Sequence, residues 1–250
     1  MLGPCVLVLT LSISGIEWPT APTVTFPGGK SEPALVVEIA QQQVLIVTES
    51  RVEIRRNAGL KLDSVNEHEL RPKKEVVRAV VDLLQDKSDV VRGAAFEMLK
   101  RLGRYLVEEE VAPLFHSARA DQRKAAAALL GEIRANDVSP LIKLRYDKDT
   151  DVRKLAVRSA ARIGGAEAIA FVLDRAENDD DTVVRREAIL RLGDSKELSL
   201  TPALIDLGEK LAVEPYLQGI ALRSLRRLTK QNFESDFTAW RGWWRSQGGK

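Results

Sequence analysis

Apolar residues recur with a helical period from residue 73 onward, and the whole pattern then repeats. A first helix is predicted over residues 75–84, and an Asp-Lys-Ser-Asp turn at residues 86–89 separates it from a second, alanine-rich helix. The second helices carry an arginine at one common position, at Arg92, Arg123, Arg153 and Arg185, and a weaker fifth copy is centred on Gln218. The steps are 31, 30, 32 and 33 residues. Such a period is typical of a solenoid whose helical hairpins bury their apolar faces on each other.

Each second helix follows a predicted first helix, and the five first helices cover residues 75–84, 109–117, 137–146, 166–176 and 201–212. Gly103, Gly164 and Gly193 stand where second helices are expected to stop. Ser195 replaces an apolar residue in the fourth copy, which predicts that this helix ends one turn early. The sequence therefore predicts an all-α fold, an α-solenoid of about five helical hairpins over residues 73–230.

The segment before the repeats has a different composition. Four prolines and a Gly-Gly pair between Trp18 and Pro33 indicate a linker. β-Branched runs at residues 35–39, 44–48 and 51–55 favour a small strand pair that packs on the first repeat. A helix over residues 34–47 is the alternative, because short apolar runs have no decisive period. Residues 28–72 are thus expected to form a linker and a small β segment.

Residues 1–27 are expected to be a signal-like or disordered segment. Residues 2–15 carry no charge, and this length fits the apolar region of a secretory signal better than a bilayer span, which needs roughly 20 apolar residues. The positive start of a typical signal is missing. We expect export, to the periplasm for example, with a cytoplasmic location as the alternative, and no stable membrane span. Cys5 is the only cysteine, so the rest of the chain forms no internal disulfide.

The repeat pattern resembles HEAT repeats, particularly the short bacterial form related to phycobilisome lyases. An acidic turn precedes the arginine, alanine follows it by three residues, and apolar residues follow by seven and ten, as at Ala156, Ala160 and Ile163. The tail at residues 231–250 resembles the ends of such arrays. That resemblance implies that Trp240 and Trp244, four residues apart, form a C-terminal cap over the apolar end of the stack. An aromatic ligand platform is the alternative.

The residues that catalysis needs are sparse. The two histidines, His68 and His116, lie in unrelated contexts, and no zinc, nucleophile-elbow or phosphate-loop motif is present. His116 is expected to be a partly buried packing residue. The alternating aspartates of residues 147–151 begin like a calcium loop, but Val152 and Arg158 stand where glycine and glutamate are required. We therefore expect a protein that is not an enzyme and that holds no metal or cofactor.

The acidic turns and the repeated arginines form a second pattern. The resemblance to HEAT repeats implies that carboxylates and guanidiniums bridge consecutive repeats as a ladder. The predicted ladder residues are Arg92, Arg123, Arg153, Arg185, Asp89, Asp121, Asp151 and Asp181. Asp151 is also expected to cap its helix. Weak binding of divalent cations by the aspartates is the alternative.

The outward positions of the second helices are mostly basic, although the whole chain has a net charge of only +2. These positions lie one, five, eight, nine and twelve residues after the repeat residue. The resemblance places second helices on the concave face, which implies a basic groove. Its candidate partner-binding residues are Lys100, Arg101, Arg104, Lys154, Arg158, Arg162, Arg186, Arg223, Arg226 and Arg227. An ordinary solvated surface of lysine and arginine is the alternative.

Three functions fit these patterns. The first is a non-enzymatic scaffold that binds a protein partner, with an acidic surface favoured, through the basic concave face. The second is a nucleic-acid-binding HEAT protein. The third is a lyase or an enzyme accessory of the phycobilisome-lyase type, although no chromophore pocket is evident in the sequence.

Overall fold

The computed structural model describes residues 8–10, 23–25, 31–39, 43–48, 51–56, 73–102 and 104–248. Their contacts divide the chain into two compact units, Met1–Leu129 and Leu130–Lys250. Most of the signal-like segment at residues 1–27, with Cys5, lies outside the described residues, as do His68 and Gly103. No described helix is both long enough and apolar enough to cross a bilayer.

The first unit contains an antiparallel sheet with the strand order β1-β5-β4-β3-β2. The strands are β1 (Val8–Thr10), β2 (Thr23–Thr25), β3 (Ser31–Ile39), β4 (Gln43–Thr48) and β5 (Arg51–Arg56). In β4, Leu45, Ile46, Val47 and Thr48 are all buried, so both faces of this strand are covered. Strands are present in the predicted segment, but they belong to a five-stranded sheet rather than to a strand pair, and the alternative helix over residues 34–47 is wrong.

Two helical hairpins follow the sheet. They comprise α1 (Lys74–Asp82), α2 (Asp89–Arg101), α3 (Arg104–Val111) and α4 (Ala120–Glu132), and α4 crosses the division between the units. The sheet packs against α1 and α2. Helix α3 begins at Arg104 rather than at the predicted residue 109. Val107 and Val111 are both buried and lie one helical turn apart, so the buried face of this helix begins before residue 109.

The second unit contains three further hairpins and a C-terminal helix. They comprise α5 (Ser139–Lys143), α6 (Thr150–Ile163), α7 (Ala166–Asn178), α8 (Thr182–Asp194), α9 (Thr201–Lys210), α10 (Pro215–Thr229) and α11 (Phe237–Ser246). The second helices α6, α8 and α10 pack side by side, α7 packs on α6 and α8, and α9 packs on α10. The predicted all-α solenoid of helical hairpins is therefore confirmed for the repeat region.

The starts of α6 and α8 are fixed by aspartate caps. Asp149 accepts a hydrogen bond from the Val152 N–H at 3.0 Å, and Asp181 accepts one from the Val183 N–H at 2.8 Å. The expected cap of α6 at Asp151 is wrong by two residues. Asp149 has the extended backbone of a capping residue, whereas Asp151 already lies inside the first helical turn.

Two predictions about the helix ends have different outcomes. Gly164 ends α6 with a φ of 76°, as expected for a residue that accepts a left-handed conformation. Gly193 does not end α8, because it is buried within the helix, where an added Cβ would lie 2.5 Å from the Ser224 Cβ. Helix α8 reaches Asp194, nine residues after Arg185, which matches α2 and α4. The predicted shortening of this helix is therefore wrong.

Candidate protein-interaction surface

The repeated arginines join the turns of consecutive repeats in the second unit. The Nε and Nη2 atoms of Arg153 donate to Asp179 at 3.1 and 3.0 Å, and its Nη1 donates to the Asp147 carbonyl at 2.8 Å. Arg185 makes a bidentate pair with Glu214 at 2.6 and 2.7 Å. The side chains of Arg153 and Arg185 are only 13% and 15% exposed, so these arginines are mostly buried links between repeats.

The carboxylates that bridge repeats differ from the predicted ones. Asp179 and Glu214 pair with the arginines, whereas Asp181 caps α8 and accepts from the Thr150 hydroxyl of the preceding repeat at 3.0 Å. Asp151 pairs with Lys154 within α6. The Arg153 guanidinium reaches the carbonyl of Asp147 before its own helix, while Asp151 in the first turn of that helix is used by Lys154.

In the first unit the equivalent arginines bind their own turns. Arg92 donates to the Asp86 carbonyl at 2.7 Å, and Arg123 donates to the Ser117 carbonyl at 2.8 Å. Each of these acceptors lies six residues before the arginine, as Asp147 does for Arg153. The predicted acids are used locally, because Asp89 pairs with Arg92 in the same helix and Asp121 pairs with Arg119.

A second set of ion pairs runs across the second helices. Arg162 of α6 pairs with Glu132 of α4, and Arg227 of α10 pairs with Asp194 of α8. All four residues stand nine positions after their repeat residue. That position carries alternating charges along the chain, at Arg101, Glu132, Arg162, Asp194 and Arg227. The alternation is visible in the sequence, but an early end of the fourth second helix, as predicted from Ser195, would place Asp194 outside the pattern.

Glu187 is the central acid of this face. Its side chain is 7% exposed and accepts from the Nε atoms of Arg158 and Arg191, both at 2.9 Å. Burial acts against ionisation, but the hydrogen bonds and charges of the two guanidiniums outweigh it and hold the pKa of Glu187 below its ordinary value of 4.5. Arg158, a candidate partner-binding residue, is therefore engaged in linking α6 to α8.

Four cations of α8 and α10 are not neutralised in this way. Arg186, Arg223 and Lys230 are exposed and form no ion pair with any described residue, and Arg226 donates at 3.4 Å to the neutral Asn232 side chain. Arg223 and Arg226 share one side of α10, since they are three positions apart, and Lys230 follows the last residue of that helix. We call these four residues the unpaired cation surface.

The remaining candidate partner-binding residues are Lys100, Arg101, Arg104 and Lys154. Lys154 pairs with Asp151, and Lys100 pairs with Glu97 at 2.9 Å. Lys100 and the exposed Arg101 belong to the first unit, and the side chain of Arg104 lies outside the described part of the structure. Among the candidate residues of the second unit, Arg186, Arg223 and Arg226 are therefore the exposed ones without an ion pair to a described residue.

The C-terminal helix α11 packs on α9. Trp240 is fully buried, its Nε1 donates to the Glu234 carbonyl at 3.1 Å, and the Phe233 ring meets it edge-on at 5.0 Å between centroids. Arg241 pairs with Asp206 and Glu209 of α9. Trp244 lies on the same helix, partly exposed beside Trp243 at 6.4 Å. The helix thus covers one side of α9 and leaves Trp240 inaccessible to a ligand.

The aspartates of residues 147–151 and His116 are the remaining residues that the sequence singled out. No three His, Cys, Asp or Glu side chains in the described ranges come together as a metal-binding group. Asp147 and Asp149 are engaged in the turn, where Asp147 accepts the Asp149 N–H at 2.9 Å. The expectation for His116 is wrong, because it is exposed after a 3₁₀ turn that leaves only its neighbours Leu114 and Phe115 buried.

Comparisons with known proteins agree with the repeat pattern. A family model described as HEAT repeats matches residues 108–193 and, in an overlapping match, residues 134–226. A designed armadillo repeat protein is similar in structure at 21% identity, with 62% of this chain and 82% of that chain covered and a TM-score of 0.39. An engineered protein is similar at 23% identity, with 70% and 52% covered and a TM-score of 0.41. A search of curated proteins gave no match. The matched residues extend from α3 to α10, and residues 108–226 of this chain therefore form HEAT repeats.

Proposed function

We propose that this protein is a non-enzymatic scaffold that binds an acidic protein partner through the unpaired cation surface. Repeat arrays of stacked helical hairpins generally serve as extended surfaces for protein interaction. The single observation that carries the proposal is the charge imbalance of α8 and α10, where Arg186, Arg223, Arg226 and Lys230 have no carboxylate partner among the described residues.

The choice of these four cations follows from the ion pairs around them. Arg158, Arg162 and Arg227 already bind carboxylates of neighbouring helices, and a partner would have to break those contacts to use them. The four unpaired cations are exposed to water and can meet a partner's carboxylates without that cost. Their attraction should weaken as salt is added, because exposed charges are screened.

The test is a capture experiment with the full chain in extract of the source cells, washed in steps of increasing salt. The test variant carries Arg186→Glu, Arg223→Glu and Arg226→Glu. The matched control carries Lys87→Glu, Lys143→Glu and Lys196→Glu, which change the net charge equally at exposed positions outside the second helices of the second unit. Mass spectrometry identifies the retained proteins.

The expected result is an acidic protein that the parent and the control retain at low salt and that the test variant loses. Retention that nuclease abolishes would support the nucleic-acid alternative, in which the same cations bind phosphates. Identical sets of retained proteins for parent and test variant would contradict the proposed surface.

A further inference from the structure

Large apolar side chains are exposed on one edge of the second unit. Five large apolar residues are exposed among the described residues of this unit, and four of them lie where the two helices of a repeat are joined. Tyr146 and Val213 lie just before the turn, and Val183 and Tyr216 lie in the first turn of the helix that follows. Tyr146 and Val213 are the most exposed, at 85% and 87%. The fifth, Leu198, lies between repeats, at the opposite ends of the helices. Single exposed apolar residues are ordinary, but grouping on one edge is typical of an interaction site.

The turns of repeats three to five form one continuous edge. The Thr150 hydroxyl donates to Asp181 of the next turn at 3.0 Å, and Arg185 joins its own turn to Glu214 of the following one. Val183 and Tyr216 hold the same position in consecutive repeats, two residues before Arg185 and Gln218. We call residues 145–151, 179–183 and 212–216 the turn edge.

At the turn edge the arginines are mostly buried and the carboxylates are exposed. Arg153 and Arg185 are only 13% and 15% exposed. Carboxylates lie outside them: Asp180 is exposed and forms no ion pair with a described residue, and Asp151 and Glu214 keep 59% and 41% of their side chains exposed. Lys148 is the exposed cation of this edge, and Lys154 pairs with Asp151. The outer surface therefore presents apolar groups flanked by carboxylates.

We propose that the turn edge binds a segment of a protein partner in which lysine or arginine alternates with apolar side chains. Apolar residues of the segment contact Val183, Val213 and Tyr216, and its cations lie against Asp180 and the exposed part of Asp151. Charge complementarity selects this occupant over an acidic one. The site lies outside the unpaired cation surface and takes a partner of opposite charge, so it does not depend on the proposed function.

The test uses two labelled synthetic peptides of twelve residues, one alternating leucine with lysine and the other alternating leucine with glutamate. Fluorescence anisotropy measures their binding to the full chain. The test variants are Val213→Ser with Tyr216→Ser, and separately Asp180→Lys. The control is Leu198→Ser, which removes an exposed apolar residue from the opposite edge. All of these positions are exposed, so folding should be preserved.

The expected result is binding of the lysine peptide that weakens about tenfold or more in the serine double variant, as for residues central to an interface. Asp180→Lys should also weaken it, while Leu198→Ser should leave it unchanged. Absence of binding, equal binding of the glutamate peptide, or equal affinity of the serine variant and the parent would overturn the proposal.

Discussion

Arginine has two roles in this protein, and the burial of its guanidinium separates them. Arg153 and Arg185 are mostly buried, and each binds a carboxylate of the next repeat and a backbone carbonyl of the first half of its own repeat or turn, so they hold repeats together. Arg223 and Arg226 are exposed on α10 without a carboxylate. Buried bidentate pairs are strong and specific, whereas exposed cations contribute little to stability and remain available to a partner.

Glu187 provides a test of the ion pairs at the residue scale. We expect Glu187→Gln to lower the free energy of unfolding by about 1 kcal/mol at pH 7, because both guanidiniums lose a charged acceptor but still reach water. The folded-state pKa lies below 4.5, so the stability gained from ionised Glu187 is complete above about pH 5.5 and is lost as the pH falls through the folded-state pKa. Denaturant titrations of both proteins between pH 4 and 8 measure this difference.

The control for this prediction is Glu97→Gln, which removes an exposed ion pair with Lys100 within one helix. Its effect should stay within about 0.5 kcal/mol. If Glu187→Gln has no larger effect than Glu97→Gln at pH 7, Glu187 does not link α6 to α8 as described.

At the scale of the elements, adjacent second helices approach closely through glycine and serine. An added Cβ on Gly131 would lie 2.7 Å from the Ser159 Cβ, and one on Gly193 would lie 2.5 Å from the Ser224 Cβ. Both glycines stand eight residues after the repeat arginine, and both serines stand six residues after the repeat residue of the next copy. This contact recurs, so it belongs to the packing of one repeat on the next.

Replacing Gly193 with alanine should destabilise the protein by about 1 to 3 kcal/mol, because the new methyl group meets Ser224 including its backbone at 2.8 Å. Gly219→Ala in α10 is the matched control. An added Cβ there has no neighbour within 4 Å, so the better helix propensity of alanine should stabilise α10 by up to about 1 kcal/mol. Thermal unfolding followed by circular dichroism distinguishes the two, and stabilisation by both substitutions would show that α8 and α10 are not in close contact at Gly193.

The helices were predictable from the sequence because their apolar and alanine positions recur with one period. The strands of residues 34–56 were predictable because valine and isoleucine favour extended backbone. The carboxylates of the ladder were not, since Asp147, Asp149, Asp151, Asp179 and Asp181 are close in sequence and only the path of the turn decides which one faces an arginine. The predicted basic groove is partly neutralised. This was not predictable, because the acids that pair with Arg158, Arg162 and Arg227 come from neighbouring repeats.

At the scale of the molecule, stability of the second unit depends on stacking, since no single hairpin buries its own apolar face. Ala156 is fully buried in α6, where the helices of two repeats meet. Ala156→Asp should lower the free energy of unfolding by at least about 3 kcal/mol, because it buries a carboxylate without a partner. Ala170→Asp on the exposed side of α7 is the control and should cost less than about 1 kcal/mol. Equal melting temperatures of the two variants would contradict the register of α6.

The second unit also presents two surfaces of different chemistry. The unpaired cation surface lies on α8 and α10, and the turn edge carries apolar residues flanked by carboxylates. A scaffold with such surfaces can hold an acidic partner and a basic segment at the same time. Function at this scale therefore depends on where charge remains after the ion pairs between repeats are formed.

We propose that a partner binds where α8 and α10 leave cations unpaired, and hydrogen exchange measures such binding along the chain. Backbone exchange of the full chain is measured by mass spectrometry with and without the acidic protein retained in the capture experiment. Exchange should be slower in peptides that cover α8 and α10, and this protection should be lost in the variant with Arg186, Arg223 and Arg226 changed to glutamate. Protection confined to other elements, or unchanged in that variant, would rule out binding at the unpaired cation surface.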